Sequence, residues 1–287
     1  MILAAGFGTR LLPYTKLRPK PLFPLLNEPL LLLTIKRLQN AGFDHIIVNC
    51  HYLKEQIVEA LQGLQGIVVQ EQDTILGTGG GLRMALASMR DEPVLITNGD
   101  IYHSIDYLQL YRSHKTGKTP VTMAMHDYPR FNKVSVQQGM VTGFGVEGSP
   151  DCRAFTGLHV LDPEILKDIP ETGSSCIIDR YRQLLASGER VQAKDVSGCS
   201  WTDMGTVEDY LALHGQLLKG EVERWQEFTA SFEGACLCQE NSEKVTFDDW
   251  ACVGNVSLPE KIHLQRCVVW DGAQLDAGRS YSDVLLT

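Results

Sequence analysis

Residues Met1–Pro24 read MILAAGFGTRLLPYTKLRPKPLFP. The apolar run Ile2–Ala5 breaks at Gly6-Phe7-Gly8-Thr9-Arg10, the pattern of a buried strand opening into a loop without side-chain bulk at Gly6 and Gly8. A phosphate can approach such a backbone closely. The same stretch places cations at Arg10, Lys16, Arg18 and Lys20, and prolines at Pro13, Pro19, Pro21 and Pro24 that restrict the loop carrying them. A stiff, cationic, glycine-led loop suits a polyphosphate. Two common phosphate signatures fail here: the P-loop needs Gly-Lys-Ser/Thr at its close, and the dinucleotide fingerprint needs a third glycine where Arg10 and Leu11 stand.

Outward from that loop, helical and strand patterns alternate. Pro29–Ala41 has the length and apolar content of a helix stopped by Gly42, His45–Cys50 reads as a strand, Leu53–Leu61 as an amphipathic helix and Ile67–Gln70 as a strand. A helix through Leu82–Met89 and a strand at Val94–Thr97 follow. This alternation predicts an α/β fold with a doubly wound, mostly parallel, Rossmann-like sheet. In such sheets ligands sit beyond the carboxyl ends of the strands, where the strand order reverses. With the common order 3-2-1-4, the glycine loop after Ala5 and Asn98-Gly99-Asp100 stand side by side. Asn-Gly-Asp alone is an ordinary turn; at the end of a buried strand beside a phosphate loop, Asp100 is a natural magnesium ligand.

Further along, Tyr107–Ser113 and Ile177–Leu185 read as helices, the second with Ser174 or Ser175 as its cap and Gly188 as its stop. Thr206 and Asp209 form a capping box for a helix over Val207–Leu218. Val222, Trp225, Phe228 and Phe232 fall at helical spacing, a stripe for core packing. Val256, Ile262 and Val268 recur every six residues, as do Leu258, Leu264 and Trp270, the period of a parallel β-helix. The expected organisation is an α/β domain over 1–219, a helical connector over 220–250 and a small β-helix-like tail over 251–287.

Composition narrows the function classes. A chain of 287 residues, 44% hydrophobic, can bury a sizeable α/β core. The net charge of -9 argues against a nucleic-acid surface, and anionic substrates must then be met by local cations and a metal. No apolar run is long enough for a membrane span and no signal-peptide pattern opens the chain, so a cytoplasmic location is expected. The eight cysteines contain no C-x-x-C, and Cys236 and Cys238 are too close for a zinc pair; buried or free thiols are expected, with no structural zinc.

The loop fits G-x-G-T-R-x-x-P-x-T-x-x-x-P-K-P at Gly6, Gly8, Thr9, Arg10, Pro13, Thr15, Pro19, Lys20 and Pro21. This resembles the signature of the sugar-1-phosphate nucleotidyltransferases, which make nucleotide sugars from a nucleoside triphosphate and a sugar 1-phosphate. Glu71–Leu82 (EQDTILGTGGGL) resembles their L-G-T-x-G segment, Phe155–Val160 the segment lining the sugar pocket, and Trp201-Thr202-Asp203-Met204-Gly205-Thr206 their W-x-D-x-G-T. Val48–Leu53 with Gln56-Ile57 is similar to the N-acetylmuramate-1-phosphate uridylyltransferase branch.

The resemblance implies Arg10 on the leaving β,γ-phosphates and Lys20 on the α-phosphate and incoming phosphate. It implies nucleotide contacts at Leu3, Ala4, Ala5, Gly6, Gly8 and Thr9, and base contacts at Glu71, Gly77 and Thr78. Asn98, Thr156 and Gly157 are the implied sugar contacts, and Asp100 with Asp203 the ligands of Mg2+. The family lysine that usually precedes Phe-Thr-Gly is missing from Glu147–Arg153, where Arg153 is the candidate replacement. The implied reaction is Mg-dependent nucleotidyl transfer, with UTP as the expected donor and dTTP or GTP as alternatives; separately, a β-helix fragment this short needs a neighbour for its open ends, so packing of the tail against a second subunit, as a homo-oligomer, is expected. A catalytically silent nucleotide-sugar sensor is the rival from another class; a dinucleotide-dependent oxidoreductase fits less well, lacking the third glycine.

Overall fold

The computed structural model describes residues 1–145, 150–228 and 245–287. The chain forms two compact units: Met1–Phe7 with Leu38–Trp201, and Gly8–Arg37 with Thr202–Thr287. The units interleave along the sequence. The glycine-led segment from Gly8 thereby belongs with the C-terminal tail.

In the first unit, β1 (Ile2–Leu3), β2 (Ile46–Cys50), β3 (Ile67–Glu71) and β4 (Val94–Asn98) are parallel in the order β3-β2-β1-β4. This is the expected 3-2-1-4 arrangement. Its second strand is buried along its whole length, as a strand covered on both faces must be. Helix α1 (Leu30–Asn40) runs between β1 and β2 in the sequence, α2 (Lys54–Leu61) between β2 and β3, and α3 (Gly77–Ala85) between β3 and β4.

The other half of the sheet departs from a mostly parallel reading. After α4 (Tyr107–Gly117) come β5 (Val121–His126), β6 (Asn132–Gln137), β7 (Met140–Phe144), β8 (Cys152–Leu161), α5 (Ile177–Ala186) and β9 (Val191–Asp195). The order continues β4-β8-β5-β9-β7-β6. Strand β8 is antiparallel to both β4 and β5, and only β9 with β5 is parallel. The cause is the β6–β7 hairpin, which turns the chain back so that β8 enters the sheet without a crossover helix. Met123, Leu161, Leu166 and Tyr181 belong to the core beneath this half.

In the second unit, residues from Gly8 form three short 3-10 turns, Thr9–Leu11, Tyr14–Lys16 and Lys20–Leu22, then a hairpin of Pro24–Leu25 with Glu28–Pro29. Leu26 and Asn27 turn it with φ of 50 and 69°, an arrangement glycine would adopt more readily. Helix α6 (Val207–Lys219) starts at Thr206, whose hydroxyl accepts the Asp209 N–H at 3.1 Å, and ends at Gly220 with φ 72°. Residues 221–228 are bends and turns, not the helix their spacing suggested. Gly220 ends the helix, and Trp225 is buried under the Arg37 guanidinium at 4.6 Å; Phe232, Cys236 and Cys238 lie outside the described residues.

The tail strands β10 (Val245–Val253), β11 (Ile262–Val269), β12 (Ser280–Ser282) and β13 (Leu285–Leu286) are parallel. Val245 pairs with Ile262, His263 with Ser280 and Val268 with Leu285, a spacing of 17 residues, close to three hexads. Ile262 and Leu264 enter one core, while Trp270 is buried at its flank. Among the described residues no helix is long and apolar enough to cross a membrane. Of the six cysteines among them, Cys50, Cys152, Cys252 and Cys267 are buried thiols.

Candidate active site

The carboxyl ends of β2, β1 and β4 place Asn49, Leu3 and Asn98 in one row of the first unit. Where the chain leaves β1, the Asn49 side chain accepts the Ala4 N–H at 2.8 Å, and Gly99 N–H donates to the Leu3 carbonyl at 2.9 Å. Ala4, Ala5 and Gly6 therefore depart from a fixed edge, with Gly6 exposed. Half-buried Asp100 follows one residue after that second bond. Asn49 was missed by sequence reasoning; an asparagine inside the buried run IIVNC was the available signal.

Residues expected to read a base are partly committed elsewhere. Glu71 pairs with Lys54 of α2 at 3.3 Å. The glycine cluster is the first turn of α3, which starts at Gly77 and not at the expected Leu82. A Cβ at Gly77 would lie 2.4 Å from the Ser175 carbonyl, and its φ of +69° also excludes most side chains. The Thr78 hydroxyl accepts the Ile177 N–H at 3.0 Å and so caps α5. The expected caps, Ser174 and Ser175, do not do this: Cys176 holds the cap position without a side-chain bond, and the hydroxyl comes from α3. Gln72, overlooked in the sequence, is buried beside Gly81, and its amide nitrogen has no partner among the described residues.

Thr156 and Gly157 form an irregularity in β8, where the pairing steps from Phe155–Met125 to His159–Met123. The Thr156 hydroxyl donates to the Ala124 carbonyl at 2.9 Å and accepts the Leu158 N–H at 3.2 Å. Trp201 Nε1 donates to the Thr156 carbonyl at 2.9 Å. With Thr156 1% exposed, its side chain is a rivet. Gly157, at φ +80°, makes room for Asn98: a Cβ there would stand 2.4 Å from Asn98 Nδ2. The Arg153 guanidinium folds back onto the Pro150 and Cys152 carbonyls at 3.0 and 2.8 Å.

The second unit holds the cations. Gly8 sits at φ +63°, and a Cβ would lie 2.8 Å from Thr15 Cγ2, so the turn leading into Thr9 and Arg10 closes only with glycine. Lys20 is 6% exposed. Burying an ammonium costs several kcal/mol unless it is paired, and its Nζ stands 3.3 Å from Asp203 Oδ1. Arg10 Nη2 approaches Asp203 Oδ2 at 3.4 Å. One carboxylate thus spans two cations, at distances longer than the 2.7–2.9 Å of a tight charged bond. Gly205 is what admits Arg10, since a Cβ there would fall 2.5 Å from Arg10 Nη1 and 2.9 Å from Asp203 Oδ2. Such a group of preset cations can hold phosphate oxygens.

The chain spans 64% of the length of the Mycobacterium tuberculosis mannose-1-phosphate guanylyltransferase, with 30% identity over 234 residues and 77% of this chain. The N-acetylmuramate alpha-1-phosphate uridylyltransferase of Neisseria meningitidis serogroup B is 29% identical over 225 residues, covering 72% of this chain and 93% of that protein. Among solved structures, HddC from Yersinia pseudotuberculosis shares the fold with a TM-score of 0.63 at 22% identity, over 75% of this chain and 97% of that one. The family model described as nucleotidyl transferase matches residues 1–220, the span that carries the glycine loop, Lys20 and Asp203, and the chain belongs to that family.

Proposed function

We propose that the chain transfers a nucleotidyl group from a nucleoside triphosphate, UTP in our reading, to a sugar 1-phosphate. An anionic oxygen of the sugar phosphate attacks the α-phosphorus, the bond to the β-phosphate oxygen breaks, and pyrophosphate leaves with the electron pair. The nucleophile is already ionised near neutral pH, so no general base is required and catalysis rests on positioning and charge neutralisation. Lys20 serves the α-phosphate and the incoming phosphate, Arg10 the leaving β,γ-phosphates. The observation that carries this reading is the buried Lys20 ammonium held beside Arg10 by one carboxylate.

Asp100 and Asp203 are the proposed magnesium ligands. Hard carboxylate oxygens in a small number fit magnesium, which completes its shell with water and substrate phosphate. Bound there, the ion would supply charge neutralisation between two anionic substrates. Leu3, Ala4, Ala5, Gly6, Gly8 and Thr9 are assigned to the nucleotide, and Asn98, Gly157 and Arg153 to the sugar phosphate. For Gly77 and Thr78 the assignment is to the backbone, given the bond that occupies the Thr78 hydroxyl; Thr156 acts by holding Gly157.

Uridine follows from the resemblance of Val48–Leu53 to the muramate branch, and guanosine is the second reading, supported by the guanylyltransferase relative. The parallel tail is proposed as a short β-helix that packs against a second copy, in a cytoplasmic enzyme. Pyrophosphate release tests the reaction, crossing UTP, dTTP, GTP, CTP and ATP against N-acetylmuramate, glucose, N-acetylglucosamine and mannose 1-phosphates. Turnover of one pair is expected; nucleotide binding without release from any pair refutes it in favour of a sensor.

A further inference from the structure

The segment that carries Arg10 and Lys20 has little structure of its own. It consists of 3-10 turns, five prolines and a hairpin whose Leu26 and Asn27 both lie at positive φ. Such a segment keeps one shape only if its surroundings impose it. Within the second unit much of that support comes from the tail, beyond the 1–220 span that matches the family.

Trp270, 3% exposed, is the centre of this support. The Arg18 guanidinium covers its ring at 4.8 Å, Phe23 meets it edge-on at 4.7 Å and Tyr14 at 6.4 Å. Its Nε1 donates to the Tyr210 hydroxyl at 3.1 Å, and that hydroxyl donates to the Pro24 carbonyl. One side chain of the tail therefore touches the segment on both sides of Lys20. A second anchor holds the strained turn: Asn27 Nδ2 donates to the Val253 carbonyl at 2.9 Å, and Leu26 N–H to His214 Nε2 at 3.2 Å.

We infer that Trp270 is a positioning residue for Lys20, so that the tail is a working part of the phosphate site and not only an appendage. The inference rests on the nucleotidyl-transfer reading. Trp270 itself touches no reacting group; it acts by limiting where the 14–23 backbone can sit. Misplacing a positioned charge by about an ångström is enough to cost on the order of a hundredfold in rate.

The test combines hydrogen exchange with kinetics on the full chain. In Trp270→Ala the amides of Leu22, Phe23 and Leu26 are expected to exchange at least ~10-fold faster, while those of β5 are unchanged. The kcat for pyrophosphate release should fall ~10-fold or more with KM within ~3-fold, and Trp270→Phe should restore most of it. On a Lys20→Ala background the same substitution should cost less than ~2-fold, the non-additivity expected of residues acting through one group. Should Trp270→Ala fail to fold, Trp270→Leu keeps apolar bulk without a ring face for Arg18 and carries the same expectations at smaller size. Unchanged exchange, a kcat within ~2-fold of wild type, or full additivity with Lys20→Ala would each overturn the inference while leaving the functional reading standing. A wild-type chain that turns over no substrate pair refutes the functional reading instead.

Discussion

Lys20 Nζ and Asp203 Oδ1 stand 3.3 Å apart across 183 residues of sequence, and the same carboxylate receives Arg10. The W-x-D-x-G-T motif and the glycine loop, read separately along the chain, thereby form one electrostatic group. Asp203 offsets the cost of burying Lys20.

Gly205 tests that group without disturbing the fold. Its added Cβ would meet the far ends of the Arg10 and Asp203 side chains, of which the flexible Arg10 can swing away, and its backbone lies outside the left-handed region. Gly205→Ala should therefore lower Tm by no more than a few degrees while kcat falls about 10-fold, because Arg10 loses its place. Thermal unfolding and steady-state kinetics on the same sample check both halves.

Gly157→Ala should behave in the opposite manner. The position is left-handed, and the new methyl would press on Asn98 Nδ2 from a rigid turn fixed by Thr156 and Trp201. A loss of about 2 kcal/mol or more is expected in urea unfolding, along with weakened sugar-phosphate binding.

The Thr78 hydroxyl caps α5, so Thr78→Ala should cost about 1 kcal/mol of stability. Nucleotide affinity should change less than ~3-fold if that position serves the base through its backbone. Calorimetric titration alongside denaturation separates the two contributions.

Burial pushes the His159 imidazole down to about 3 and His214 down to about 4, from 6.5. Both are neutral in the native state. Below pH 6.5 the unfolded chain takes up protons that the native state refuses, so stability falls with pH by roughly 1.4 kcal/mol per unit for each histidine. That decline continues toward pH 4 for His214 and pH 3 for His159. Neither nitrogen of His159 makes a well-aligned hydrogen bond among the described residues, the Gly157 backbone offering only a weak polar contact. His159→Phe should then keep its stability at pH 7 and show a slope shallower by about one proton between pH 6 and 4. An unchanged slope would show that His159 is protonated in the native state.

The parallel half of the sheet was legible because apolar runs at Ile2, Ile46 and Val94 are separated by helices, which leaves few topologies. The antiparallel insertion of β8 was hidden, since an apolar strand does not declare the direction in which it pairs. Arg10 and Lys20 stood out through their fixed spacing to glycine and proline. Asn49 and Gln72 did not, because a buried polar side chain at a strand end has no periodic signature. The roles of Thr78 and Trp270 depend on partners about 100 and 250 residues away in sequence, Ile177 for the first and Arg18 for the second, and no local pattern contains those pairings.

The most direct measurement is pyrophosphate release from UTP and N-acetylmuramate 1-phosphate with magnesium, run beside Lys20→Ala and with the other nucleotides and sugar phosphates as comparisons. The account predicts that pyrophosphate and nucleotide sugar form in equal amounts, and that Lys20→Ala, destabilised by the loss of a buried ion-pair partner but still folded at the assay temperature, is slower by about 100-fold or more. Near-normal turnover in Lys20→Ala, or no release from any pair by a folded wild-type protein, would contradict it.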